Sequence, residues 1–150
     1  MEEDVWTGDA LGRVTAWTLV RAYHAVAHEF TKLFDEHGLT PVQFGVLAQL
    51  AATPELLQAE LARSVLIRPQ SMAAVITQLV DRGLLERRGT GGRGRPVPIR
   101  LTDEGRQLLG QASAAVRRYN EPATLGLESY EAGMLNALLH KVIDAHTGNS

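Results

Sequence analysis

The chain has 150 residues, 45% of them hydrophobic and 21% charged, and no cysteine. That usage excludes a disordered chain, and the missing cysteine excludes disulfides, thiolate catalysis, thiolate metal sites and thiol redox sensing. Nine arginines against four acids in residues 63–106 give that block +5, whereas residues 1–62 sum to −6 and residues 107–150 to −1. Base concentrated in one block points to nucleic acid despite the overall charge of −2; a solvated Arg-rich surface is the rival account. The length predicts one domain over residues 1–150. No apolar run approaches the roughly 18 residues of a membrane helix. Met1-Glu2-Glu3-Asp4 places acid where a signal peptide needs base, so a cytoplasmic protein without a membrane partner is expected.

In chain order, apolar residues at Leu11, Val14, Trp17, Val20, Tyr23, Ala27, Phe30 and Phe34 predict a helix over residues 10–36, stopped by Gly38. Thr40-Pro41-Val42-Gln43 predicts a capped start for a second helix to about Ala51, burying Phe44, Leu47, Leu50 and Ala51. A short helix follows over Leu57–Val65, then a tight apolar turn at Val65-Leu66-Ile67. Pro69 opens a helix to Arg82 with Met72, Val75, Ile76 and Leu79 inward, and Gly83 closes it. Leu84–Arg88 and Pro96–Leu101 are extended runs around a turn holding four glycines in seven residues, which predicts a hairpin. Pro96 and Pro98 lack ladder donors, so the second strand is expected at an edge. A linking helix is expected over residues 103–119. A last amphipathic helix follows over residues 128–146, with Leu135, Leu138, Leu139 and Val142 on one face.

The fold class that follows is mainly α with a small β-hairpin. Its centre, residues 40–101, is a winged helix-turn-helix. The second helix of such a pair must show base edges a polar face while its other face packs. Gln70, Ser71, Ala74, Thr77 and Gln78 fall opposite the apolar stripe, with Arg68 just ahead of Pro69. Glutamine is able to pair bidentately with adenine, and serine bonds base edges or phosphate. Amides at the start of this helix suit a phosphate. Arg93 and Arg95 at the glycine turn suit a narrow minor groove. An ordinary surface helix and an idle turn would share each feature singly; all of them fall inside the basic block.

Residues 56–105 resemble the MarR family of bacterial transcription regulators. The stretches that carry the likeness are Gln58-Ala59-Glu60-Leu61-Ala62, Pro69-Gln70-Ser71-Met72, Leu79-Val80-Asp81-Arg82-Gly83-Leu84-Leu85-Glu86-Arg87-Arg88 and Leu101-Thr102-Asp103-Glu104-Gly105. The resemblance implies a homodimer built from the first and last helices and binding to a roughly palindromic double-stranded DNA operator. It also implies control by a small aromatic or lipophilic effector, most simply as a repressor released by it. It implies an effector site lined by Trp17, His24, His28 and Phe44, residues that serve equally well as core and interface. Three positions depart from the family pattern. Arg93 stands where an acid is common at the wing tip, Ala74 where many members carry Arg, and Leu57 where a capping Thr or Ser is usual.

Two other readings use the same residues. One is a winged helix used for protein contacts alone; the other is a metal-responsive regulator using His24 and His28, which lie four apart on one helix face. The residues compose no zinc-protease signature and no phosphate loop, and no triad can be argued around Ser71, so neither catalysis nor a cofactor or resident metal is expected. With no acid between Gly89 and Leu101, the hairpin tip is expected to be poorly ordered until DNA holds Arg93 and Arg95.

Overall fold

The computed structural model describes residues 6–89 and 95–148. The chain divides into two compact units between Leu109 and Gly110. The elements run α1 (Gly8–Gly12), α2 (Thr15–Asp35), α3 (Pro41–Ala52), α4 (Gln58–Ser64), α5 (Pro69–Asp81), β1 (Leu85–Arg87), β2 (Ile99–Leu101), α6 (Asp103–Tyr119) and α7 (Ser129–Thr147).

The single helix expected over residues 10–36 is two. Val14 leaves the helical region at ψ 100°, which interrupts the hydrogen-bond ladder between α1 and α2. Gly12, a weak helix former, and the β-branched pair Val14-Thr15 stand at the break. The helix end at Gly38 has a local cause. Gly38 takes φ +65°, and Leu39 N–H reaches back to the Phe34 carbonyl at 3.0 Å.

Thr40 caps α3 as expected. Its Oγ1 accepts from Gln43 N–H at 3.1 Å, and Gln43 Oε1 accepts from Thr40 N–H at 3.0 Å. The buried stripe of α3 is Gln43, Val46, Leu47 and Leu50. That is a rotation from the expected face: Ala51 is exposed, and Phe44 is half-buried at the edge. Phe44 stacks on buried Phe34 with ring centres 4.7 Å apart. Glu60 compensates for the missing capping hydroxyl at Leu57, accepting the Leu57 N–H at 2.7 Å.

Between α4 and α5 the chain turns through Leu66, the only described non-glycine residue at positive φ, +57°. Ile67 N–H bonds the Ala62 carbonyl at 3.1 Å and closes α4. Arg82, Gly83 and Leu84 end α5 in the same manner, with Gly83 at φ +73° and Leu84 N–H on the Leu79 carbonyl at 2.9 Å. The strands are shorter than the extended runs. They pair antiparallel with Leu85 opposite Leu101, Glu86 opposite Arg100 and Arg87 opposite Ile99. Strand β2 is not a plain edge, because Leu56 bridges Ile99 from the other side with bonds of 3.2 and 2.9 Å. Pro96 and Pro98 lie outside that doubly bonded stretch, which is how the strand tolerates them.

Gly105 explains one of the quoted motifs. A Cβ there would lie 2.1 Å from the Leu84 carbonyl oxygen, so α6 begins directly against the backbone that leaves α5. Thr102 locks the junction, with its hydroxyl donating to the Gly83 carbonyl at 2.6 Å and accepting from Gly105 N–H at 3.0 Å. The first unit's core is Phe34, Leu39, Val46, Leu47, Leu50, Leu61, Met72, Ile76, Leu79, Leu85 and Ile99. In the second unit, α7 has no buried residue, and Tyr130, Met134, Leu135, Leu138, Val142 and Ile143 are all exposed.

Candidate nucleic-acid interface

Helix α5 is amphipathic in the sense its sequence predicts. Met72, Ile76 and Leu79 are fully buried and Val75 is half-buried. Pro69, Gln70, Ser71, Ala74, Thr77 and Gln78 are exposed. Burying those three side chains is worth roughly 1.5–3 kcal/mol each, which fixes the helix's rotation and so fixes which residues face out. Pro69 occupies the first helical position, where its missing N–H costs nothing. Arg68 is the N-cap in extended conformation, exposed and making no side-chain cap bond. Among the described residues its guanidinium has no hydrogen-bond or ion-pair partner. Gln58 Nε2 donates to the Pro69 carbonyl at 3.3 Å, tying α4 to the first turn of α5.

Two members of the exposed face have partners that the local pattern did not reveal. Arg87, on β1, donates to Thr77 Oγ1 at 3.3 Å, which sets a cation against the outward face of α5. Arg87 also lines, with Gln58, Pro69 and Pro96, an open cleft between the start of α5 and the hairpin. Gln43 Nε2 donates to Gln78 Oε1 at 3.3 Å, across 35 residues of sequence. Arg87 belongs to the stretch Leu79–Arg88 that carries the family resemblance, on the strand that follows α5, and that was the available signal. Nothing local in the sequence connects Gln43 to Gln78.

Arg95 is exposed at the start of the strand-side segment. Arg93 and the expectation for the hairpin tip lie outside the described residues. The described stem is braced by ion pairs of Glu86 with Arg100 and of Glu55 with Arg88, the latter at 3.6 Å.

Trp17, His24 and His28 lie on the exposed surface of α2, spaced by seven and four so that they share a stripe. The Tyr23 ring lies 5.5 Å from that of His24. Phe44, on α3, stacks with Phe34 at the C-terminal end of α2. Among the described residues no group of three or more His, Asp or Glu gathers at metal-binding distance. Among them also, no helix is long and apolar enough to cross a membrane.

A sequence profile of the MarR family matches residues 37–96. The HTH-type transcriptional repressor Rv2887 of Mycobacterium tuberculosis is 36% identical over 101 residues, 67% of this chain and 73% of that protein. The structure of that Rv2887 protein in complex with salicylic acid has TM-score 0.67 and 30% identity, covering 85% of this chain and 95% of that one. The transcriptional repressor CouR, bound to a 23-mer DNA duplex, has TM-score 0.83 and 29% identity, covering 94% and 99%. The PcaV regulator from Streptomyces coelicolor, in complex with its natural ligand, has TM-score 0.76 and 27% identity, covering 91% and 96%.

Proposed function

The chain belongs to the MarR family, and from that premise we propose that it is a transcriptional repressor that binds a roughly palindromic DNA duplex as a homodimer and leaves it when a small aromatic or lipophilic effector binds. One observation carries the reading: α5 buries Met72, Ile76 and Leu79 and turns Gln70, Ser71, Ala74, Thr77 and Gln78 outward, with Arg68 and Arg87 beside them. That face enters the major groove. Gln70 and Gln78 meet base edges, Ser71 and the first amides of α5 meet phosphate, and Thr77 holds Arg87 toward the backbone. Arg93 and Arg95 follow the minor groove. CouR, which shares the fold over nearly the whole chain, is bound to a duplex in its structure, and that supports the reading.

Residues 1–150 act as one functional unit whose terminal helices make the dimer. Exposed Trp17, Val20 and Tyr23 on α2 and the apolar face of α7 support it, because a two-fold contact is the commonest way to cover such surfaces. Effector control is supported by salicylic acid in the Rv2887 structure and the natural ligand in that of PcaV. Trp17, His24, His28 and Phe44 supply aromatic and polar lining on α2 and α3. The reading assigns no catalysis and a cytoplasmic location.

Selection of duplexes from random sequence, followed by salt titration, tests the proposal. An enriched, inverted-repeat motif with strongly salt-dependent affinity is expected. Replacing Arg87 with Ala should weaken binding to all duplexes alike and lower the salt slope by about one. No enriched motif and no salt-dependent binding would favour a winged helix used for protein contacts.

A further inference from the structure

Gln43 is the one buried polar side chain of the described core, 7% exposed, and both ends of its amide are committed. A backbone N–H only donates, so the atom facing Thr40 N–H at 3.0 Å is the oxygen. The NH2 is therefore at the far side of the planar group, 3.3 Å from Gln78. A donor needs an acceptor, so Gln78 turns its Oε1 inward. Oxygen and nitrogen occupy opposite arms of the Gln78 amide. With the oxygen turned to Gln43, the NH2 is the arm this exposed residue has left to offer a partner on the outer face of α5.

Resting on the reading of α5 as the recognition helix, we propose that Gln43 is a positioning residue that fixes the Gln78 amide with its NH2 toward DNA, so that residue 78 reads a hydrogen-bond-accepting base edge, guanine foremost. Bidentate pairing with adenine needs an outward oxygen to meet the N6 amino group beside an outward NH2 to meet N7. Gln78 offers only the second. Guanine presents N7 and O6 side by side, both acceptors, and an NH2 group has two hydrogens to give them. Thymine O4 is a weaker alternative, and cytosine, with only a donor in the major groove, is disfavoured. The capping box at the start of α3 thus sets the polarity of a contact on α5, 35 residues away.

Duplex selection with the wild-type protein and the variants Gln78→Ala, Gln43→Glu and Gln78→Glu tests this. Gln78→Ala identifies the position in each half-site that depends on residue 78. The wild type is expected to enrich guanine there, by about tenfold over cytosine on the contacted strand. Enrichment of adenine, or no position that responds to Gln78→Ala, overturns the proposal. Gln43→Glu preserves the capping box, since a carboxylate also accepts the Thr40 N–H. It offers Gln78 only an acceptor, so the Gln78 amide turns over and its oxygen faces out. Preference at that one position is then expected to pass to a donor edge, cytosine or adenine, while other positions and the salt slope stay as they were. A folded Gln43→Glu dimer that still selects guanine overturns the proposal. Should Gln43→Glu fail to fold, Gln78→Glu supplies the outward acceptor from an exposed position and must make the same switch. Persistence of guanine in Gln78→Glu overturns it too. A wild-type protein that enriches no motif at all removes the recognition reading itself. A clear motif with the wrong base at that position removes only the role of Gln43 and Gln78.

Discussion

Helices α5 and α7 are both amphipathic, and the chain finishes them differently. Helix α5 buries Met72, Ile76 and Leu79 within its own unit and shows a polar face. Helix α7 is longer, 19 residues against 13, and buries nothing, leaving Tyr130, Met134, Leu135, Leu138, Val142 and Ile143 exposed. The contrast separates two kinds of surface. A polar face on a helix already locked by its core suits a polar, hydrated partner such as a duplex. An apolar face on a helix that buries none of its residues calls for another apolar surface, since several large apolar side chains exposed along one helix mark an interaction site.

The sharpest way to break the contrast is to make the α7 face polar. The double variant Leu135→Glu, Leu138→Glu puts two carboxylates where the proposed dimer buries apolar side chains. Burying an unpaired charge costs several kcal/mol, so sedimentation should show monomers at micromolar concentration and duplex affinity should fall at least a hundredfold. A dimer that survives would move the interface elsewhere. The mirror experiment attacks the buried side of α5. Met72→Ala removes a fully buried side chain and should lower unfolding free energy by roughly 2–5 kcal/mol, measured by denaturant titration, with no effect on dimer assembly in the molecules that remain folded. The smallest expected effect lies in the turn between α4 and α5. Leu66 is 61% exposed at φ +57°, where a Cβ costs roughly 1–2 kcal/mol and glycine is free of that strain. Leu66→Gly should raise the thermal midpoint slightly, by well under about 1 kcal/mol in stability once glycine's extra unfolded freedom is counted. A loss of stability would mean that the Leu66 side chain makes contacts worth more than the strain.

What the amino-acid sequence determined by itself was local. Thr40 and Gln43 in a capping box, Pro69 at a first helical position, and glycines at 38 and 83 specify helix ends through bonds that span three to five residues. The periodic stripe of α5 placed its outward face correctly, because a fully buried helix face leaves little rotational freedom. Where the packing was shared the periodicity was less decisive: on α3 it favoured Phe44 and Ala51 beside Leu47 and Leu50, whereas Gln43 and Val46 are the residues buried with those two leucines. The break at Val14 escaped because a hydrophobic repeat continues unchanged through an interrupted ladder. The tertiary structure alone decided that Arg87 meets Thr77, that Gln43 meets Gln78, that Leu56 covers the far side of β2, and that Gly105 lies against the Leu84 carbonyl. Each of these joins elements whose distance apart is set by how the helices and the hairpin pack. Residue type and spacing carry the chemistry of a donor or an acceptor, and only packing selects its partner.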